Sequence, residues 1–516
     1  MEISTVADVV RRHAAVEGDR PMLTFGDRAW SFAEMDARSN QVAQALAAMG
    51  VGRGDRVAFV DKNAPEYFEM MFGAAKLGAV TVAVNWRLAP PEVAHVLDDA
   101  GPKVIVVGAE LFPVMEQVAG RLSTGVIVAI GSHETWPSYE AWVAPHPAED
   151  PGVRTGPSDV AYQLYTSGTT GVPKGVMLTN DNVFALMPGA SAVWGFGRDM
   201  VNLGVMPLFH IAGSGWDLMV MANGGHTVLH REVDPPAILR DIARYGVTHA
   251  LFVPAVMNLL LATPGVDEAD FATLRTIVYG ASPISDEVLV RALDTFQCDF
   301  IQAYGLTETT GAVTILAPED HDPGNPDLLR SCGRMMPGAE LRIVTESGED
   351  APEGAVGEVW IRSRQVMLGY FGRPQETAAA KTPDGWLRSG DAGFVRDGYL
   401  YLYDRVKDMV VSGGENVYPA EVENVLMAHP AVADVAVIGV PHPKWGETVK
   451  AIVVPADGGE VDEAALIAHA RANLAHYKCP TSVDFVEALP RNPSGKVLKR
   501  ELRDPYWEGR DRRIGG

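Results

Sequence analysis

The stretch "RVAFVDKNAPEYFEMMFGAAKLGAVTVAVN", Arg56 to Asn85, decides the fold class. "RVAFV" is a short apolar run of strand type, "PEYFEMMFGAAKLG" carries its apolar residues at helical spacing, and "AVTVAVN" is a second strand-like run. Strand, helix and strand over so short a span make a βαβ unit. Upstream, Ser31 and Glu34 of "SFAE" have capping-box spacing. Met35, Val42, Leu46 and Met49 follow at helical intervals up to Gly50, which predicts a helix from about Ser31 to Met49. Downstream, the apolar runs "KVIVVG", "GVIVAI", "HTVLH", "HALFVP" and "TIVYG" alternate with helix-like segments such as "PPAILRDIARYG". That alternation predicts a large α/β body with substantially parallel sheets.

The pattern changes after about Arg330. "AELRIVTESGEDAPEGAVGEVWIRS" reads as strands joined by a turn-rich loop, a smaller β-rich subdomain. After "YLYDRVKD" the order is helix "PAEVENVLMAH", strands "VADVAVIGV" and "TVKAIVV", helix "DEAALIAHARANLA" and strand "SVDFVE", an α+β unit large enough to fold alone. The fold class expected is therefore α/β, with an N-terminal body of several subdomains over residues 1–403 and a small C-terminal domain over 408–516. The joint between them, 404–407, is short, charged and free of glycine and proline, a defined hinge rather than a loose tether.

Composition narrows the function. With 516 residues, 47% hydrophobic and 21% charged, the chain buries large cores. No apolar run reaches the ~18 residues of a membrane span, and the N-terminal stretch does not read as a signal peptide, so the expected location is cytoplasmic. A formal charge of −23 argues against a broad nucleic-acid face, so any anionic ligand has to be met locally. Cys298, Cys332 and Cys479 lie far apart and form neither a zinc pattern nor a disulfide framework. The basic run Arg510–Arg513 reads as a solvated terminus.

"YTSGTTGVPKGVMLTN", Tyr165 to Asn180, concentrates glycines and hydroxyls with a lysine. Such a backbone turns N–H groups onto an anion, and phosphate is the first expectation, although the same residue types also make a flexible surface loop. It is not a Walker loop, because Lys174 is followed by Gly175 and its distance from Gly171 is wrong.

Six segments occur in order: "YTSGTTGVPKG" at Tyr165, "YGASPI" at Tyr279, "YGLTET" at Tyr304, "GWLRSGDAG" at Gly385, "YDRVKDMVVSGGENVYP" at Tyr403, and "NPSGK" ending at Lys496. Together they resemble the adenylate-forming superfamily of acyl-CoA synthetases, nonribosomal adenylation domains and firefly-type luciferases, over nearly the whole chain. The resemblance implies ATP, Mg2+ and coenzyme A as cofactors. It also implies a reaction in which a carboxylate attacks the α-phosphate of ATP, and the resulting acyl-AMP is opened by a thiol.

Roles follow from the same resemblance. Thr166, Ser167, Gly168, Thr169, Thr170, Gly171 and Lys174 would form a mobile loop over the β- and γ-phosphates. Gly280 and Ala281 with Gln302, Ala303, Tyr304 and Gly305 would frame the adenine, small residues on one side and an aromatic face on the other. Thr307 would contact the α-phosphate and Glu308 would be the Mg2+ ligand, a hard oxygen for a hard cation. Asp391 and Arg405 would hold the ribose hydroxyls. Lys496 would reach in from the C-terminal domain to bridge carboxylate and phosphate oxygens. That domain would then rotate about Lys407, bringing Gly413 and Gly414 beside the thiol arm.

His210, in "PLFHIAGSGW", falls where acyl- and aryl-CoA ligases of the superfamily carry an aromatic residue or histidine at the mouth of the acyl pocket. The aspartate of amino-acid-activating relatives is not in "FHIAGS". Ala212, Gly213 and Ser214 would leave room for a bulky apolar acid, though small residues also occur where elements pack closely. The function expected is ligation of a fatty, aryl or polycyclic acid to coenzyme A. Loading of an acyl carrier protein and luciferase-like oxidation of the acyl-AMP stay open. A non-catalytic nucleotide sensor is disfavoured by the joint presence of Lys174, Glu308 and Lys496.

Overall fold

The structure is a computed structural model that describes residues 2–123, 125–166, 173–282, 284–345, 347–405, 408–412, 415–417, 419–442, 446–456, 462–474, 476–491 and 497–508. The chain divides into two compact units. One comprises Met1–Leu329, Gly333–Glu340 and Ile361–Leu387, the other Arg330–Cys332, Leu341–Trp360 and Arg388–Gly516.

Two large sheets build the first unit. In the first, the central strands Asp299–Leu306, Thr276–Gly280, His249–Phe252, Val201–Gly204, His226–Leu229 and Pro21–Phe25 lie side by side in that order, all parallel, with antiparallel strands at both edges. In the second, Val160–Thr166, Val80–Ala83, Arg56–Val60, Val104–Gly108 and Val126–Ile130 are parallel neighbours. Lys174–Thr179 and Gly369–Tyr370 extend it antiparallel beyond Val160–Thr166. Parallel strands need both faces covered, and the wholly buried strand Val104–Gly108 reads accordingly as an unbroken apolar run, while Val80–Ala83 is broken only by the buried Thr81.

The βαβ unit is present as Arg56–Val60, helix Pro65–Leu77 and Val80–Ala83. The preceding helix runs Phe32–Ala48 behind Ser31, whose hydroxyl accepts from Glu34 N while the Glu34 carboxylate caps the Ser31 N–H. These two helices pack against each other around Lys76, whose fully buried ammonium donates to Asp36 Oδ1 (2.6 Å), Ser39 Oγ (2.9 Å) and Asn40 Oδ1 (2.5 Å). A buried cation with every donor met is tolerated where an unpaired one is not.

The second unit holds most of a four-stranded sheet, ordered Ala339–Val344, Gly357–Ser363, Leu387–Arg396 and Tyr399–Arg405. Its C-terminal part is a sheet around the long hairpin Val432–His442 and Gly446–Pro455. Helices Pro419–Met427 and Glu463–Asn473 supply Val422, Leu426 and Leu466 to one core, and Leu502 and Tyr506 of helix Lys499–Trp507 pack on a second core around Ile438 and Ile452. Among the described residues no helix is long and apolar enough to cross a membrane.

Candidate functional site

In each sheet of the first unit the chain leaves one strand toward opposite sides. Val201–Gly204 lies between His226–Leu229 and His249–Phe252, and Arg56–Val60 lies between Val80–Ala83 and Val104–Gly108. Connections that diverge this way open a crevice beyond the strands' carboxyl ends, where ligands of open α/β sheets bind. Side chains join the two crevices, among them Arg231, which donates to Asp61 Oδ1 at 2.8 Å, and Asn63. Asn63, 3% exposed just past Arg56–Val60, donates from Nδ2 to the carbonyls of Met206 and His230 (both 3.1 Å) and accepts from Leu208 N at 3.0 Å.

The segment Asn63 grips leads to His210, the residue before helix Ile211–Ala222. The ring lies 4.4 Å from that of Phe209, and among the described residues Nε2 is sealed from solvent without a hydrogen-bond partner. Burial, with the charge of Arg87 adding to it, pushes the imidazole pKa down to about 4, so the ring is neutral at physiological pH. The small residues after it have packing reasons. A Cβ on Gly213 would lie 2.3 Å from the Pro207 carbonyl oxygen, and the fully buried Ser214 donates to the His210 carbonyl at 3.1 Å. The room expected from Gly213 and Ser214 is therefore taken up by helix and loop rather than left open for a ligand.

Two strands away across the first sheet, Thr276–Gly280 and Asp299–Leu306 pair with Gly280 opposite Ala303. A Cβ on Gly280 would come within 2.1 Å of the Ala303 carbonyl oxygen, so only glycine brings the strands this close. The next residue, Ala281, holds φ at +66°, a backbone state that a non-glycine residue keeps only under constraint. Gln302 presents a buried Oε1 without a partner among the described residues, and Tyr304 is 8% exposed. The turn Thr307–Thr309 follows. It is tied down by Thr309 Oγ1, which accepts from Leu306 N at 2.8 Å, and by Thr310 Oγ1, which donates to the Gln365 carbonyl at 2.6 Å.

Glu308, in that turn, accepts at Oε1 from the hydroxyl of Tyr370 at 2.9 Å. Lys174 Nζ stands 5.3 Å from the centre of the same Tyr370 ring. Lys174 pairs with Thr166 across the two strands that flank the glycine-rich loop. The foot of the loop is braced further: Tyr165 OH donates to Asp99 Oδ2 at 2.7 Å, and Arg373 holds the other oxygen of Asp99 at 2.6 Å. The sequence reading missed Tyr370, Asn63 and Asp99. The only local signal for Tyr370 is the turn composition of "MLGYFGRP".

Among the described residues no group of three or more His, Cys, Asp or Glu could hold a metal ion by itself. Mg2+ characteristically takes one or two carboxylates and completes its shell with phosphate and water oxygens, and the single carboxylate of Glu308 suits that role.

In the second unit, Asp391 and Arg405 are cross-strand partners in the four-stranded sheet, with Asp391 7% exposed and its N–H donating to Ser389 Oγ at 3.0 Å. Ser167, Gly168, Thr169, Thr170, Gly171, Lys407, Gly413, Gly414 and Lys496 lie outside the described residues.

Comparison with known proteins agrees over the full length. The chain is 40% identical over 522 residues to a fatty acid–[acyl-carrier-protein] ligase of Streptomyces coeruleorubidus, covering 99% of this chain and 98% of the relative. It is 38% identical over 495 residues to a feruloyl-CoA synthase of Amycolatopsis, covering 95% and 97%. ATP-bound MatB from Rhodopseudomonas palustris superposes with a TM-score of 0.88 at 30% identity, covering 97% of this chain and 99% of that one. The profile of the AMP-binding enzymes matches residues 10–371 and that of their C-terminal domain residues 421–496. The chain belongs to the AMP-binding enzyme family, whose members use ATP, Mg2+ and coenzyme A.

Proposed function

We propose that the protein is an AMP-forming ligase that joins an apolar carboxylic acid to the thiol of coenzyme A. The acid's carboxylate attacks the α-phosphate of ATP, pyrophosphate leaves, and the thiol then displaces AMP from the acyl-AMP. The observation that carries the reading is the grouping of Lys174 and Glu308 on Tyr370 at the foot of the glycine-rich loop. It sets an ammonium for the departing pyrophosphate beside a carboxylate for the cation that screens it. All the strands between Asp299–Leu306 and Val201–Gly204 are parallel, so Thr307 and His210 lie at the same edge of one sheet. Three strand spacings, about 14 Å, separate the strands that lead to them, a span in keeping with an adenylate whose acyl group points toward His210.

An uncharged histidine beside Phe209 favours a fatty, aryl or polycyclic acid over an amino acid. Asp391 and Arg405 hold the ribose in this reading, Thr307 the α-phosphate, and Gly280, Ala281 and Gln302–Gly305 the adenine. Residues 408–516 act as the moving domain and turn about Lys407, so that Lys496 serves adenylation and Gly413 and Gly414 serve thioester formation. A second reading, transfer to an acyl carrier protein, is favoured by the relative from Streptomyces coeruleorubidus.

The test is acid-dependent release of pyrophosphate and AMP over a panel of carboxylic acids, with coenzyme A or a phosphopantetheinylated carrier protein as acceptor. Turnover with coenzyme A supports the first reading. Thioester formation confined to the carrier protein replaces it with the second, and no pyrophosphate from any acid defeats both.

A further inference from the structure

We propose that Tyr370 is a positioning residue that sets the Glu308 carboxylate and the Lys174 ammonium in fixed relation, one through its hydroxyl and the other through its ring. The inference rests on Glu308 being the carboxylate that meets Mg2+. A carboxylate offers two oxygens, and a hydrogen bond on one fixes the plane in which the other is presented. Tyr370 makes that bond to Oε1 at 2.9 Å. Its ring face lies 5.3 Å from Lys174 Nζ, within reach of the attraction between an ammonium and an aromatic face. One residue therefore meets both charges that the proposed reaction needs.

The backbone around Tyr370 is held on three sides, which is what a positioning residue requires. Gly369 and Tyr370 pair with Met177 and Val176 on the strand that begins at Lys174. Leu368 N donates to the Met177 carbonyl at 3.0 Å and Phe371 N to the Gly175 carbonyl at 2.8 Å. Met367 N donates to the Glu308 carbonyl at 2.8 Å, and Tyr370 N to Thr377 Oγ1 at 2.9 Å. The segment Met367–Phe371 is thus hydrogen-bonded both to the stem of the glycine-rich loop and to the turn that carries Glu308. Its tyrosine repeats with the side chain the link that its backbone makes.

Hydrogen-bonding partners of metal-bound carboxylates characteristically contribute 10–100-fold to metal affinity, which sets the size of the effect. The experiment is calorimetric titration of ATP into the full-length protein across a series of Mg2+ concentrations, with neither acid nor thiol present, so that binding is read without turnover. Tyr370→Phe removes only the hydroxyl and keeps the ring. It should raise the Mg2+ concentration for half-maximal ATP binding by about ten-fold or more, with Mg2+-free ATP affinity within about two-fold of the parent. Tyr370→Leu removes the ring as well and should weaken ATP binding with and without Mg2+.

Glu308→Gln runs beside them, with thermal midpoints recorded for all. If Glu308→Gln shifts the Mg2+ midpoint and Tyr370→Phe does not, Tyr370 has no positioning role and the assignment of Glu308 stands. If neither shifts it, the assignment of Glu308 to the cation falls and takes the role of Tyr370 with it. A Tyr370→Phe protein that weakens ATP binding equally with and without Mg2+, at a lowered thermal midpoint, shows a structural role only and overturns the proposal.

Discussion

The carboxamide of Asn63 accepts the Leu208 N–H at 3.0 Å while its own NH2 donates to the Met206 carbonyl at 3.1 Å, so one buried side chain stitches the carboxyl end of one sheet to the segment that carries His210. The two residues are 145 positions apart in the chain. Asn63→Ala leaves the Leu208 donor and the Met206 and His230 acceptors without this partner, each a buried group that costs about 1–3 kcal/mol when unmet. The thermal midpoint should fall by several degrees. If the stitch also sets His210, the KM for the acid should rise more than the KM for ATP. An equal change in both constants would show that Asn63 only stabilises the fold.

Gly280 faces Ala303 at a separation that admits no side chain, since a Cβ would stand 2.1 Å from a backbone carbonyl oxygen that cannot swing away. Gly280→Ala should therefore push the two strands apart at the edge assigned to the adenine. Overpacking of this kind costs roughly 1–3 kcal/mol, and ATP affinity should drop by about ten-fold. Calorimetry gives the affinity and a melting curve the stability. Parent-like ATP binding would place the adenine elsewhere.

What was legible in the chain follows the range of the interactions. The Ser31–Glu34 box is a contact over three residues, and the helix behind it begins where the spacing puts it. The runs "KVIVVG" and "TIVYG" are strands because wholly buried parallel strands have no polar face to disguise them, and "GVIVAI", though partly exposed, is apolar along its whole length. By contrast, Val201–Gly204 is short and centred on a polar residue, Asn202, whose burial depends on Trp216 Nε1 donating to it at 2.7 Å from a helix not yet formed when "VNLG" is read in isolation. The site divides the same way. The glycine-rich loop and its lysine announce themselves by composition, whereas Glu308 is named only through the resemblance of "YGLTET" to the superfamily. Tyr370 is 62 residues from Glu308, and nothing local to "GYFG" says which carboxylate it will meet.

Asp217 gives a pH test that is independent of catalysis. It is 1% exposed; Asn202 Nδ2 donates to its Oδ1 at 2.8 Å, and Oδ2 has no partner among the described residues. Burial pushes its pKa up to about 7 from an ordinary 3.8. The folded state therefore prefers the protonated carboxyl. The stability this group contributes is fully present below the unfolded pKa and is lost as pH rises through about 7, at up to roughly 1.4 kcal/mol per pH unit. Asp217→Asn cannot ionise, so its thermal midpoint relative to the parent should improve from about pH 4 to about pH 7 and level off above that. A constant difference across that range would show that the carboxyl does not titrate there.

In the proposed reaction Lys496 separates the two half-reactions. Its segment "RNPSGK" matches the place from which the superfamily's lysine reaches the reacting carboxylate and phosphate oxygens. A positive charge at that point is worth most while the pentacoordinate phosphorus and the departing pyrophosphate carry the developing charge, and little once the acyl-AMP exists. Lys496→Ala should lower acid-dependent pyrophosphate release by roughly 10²–10³. Thioester formation from supplied acyl-AMP and coenzyme A should continue near the parent rate. Lys496→Arg keeps the charge but replaces a compact ammonium on a flexible stem with a planar fork, so pyrophosphate release should recover only in part. Both half-reactions are followed separately, by coupled pyrophosphate assay and by chromatography of the thioester. Equal loss in the two would mean that Lys496 supports the domain's structure or serves both conformations, and the proposed division of labour between Lys496 and the pair Gly413 and Gly414 would fall.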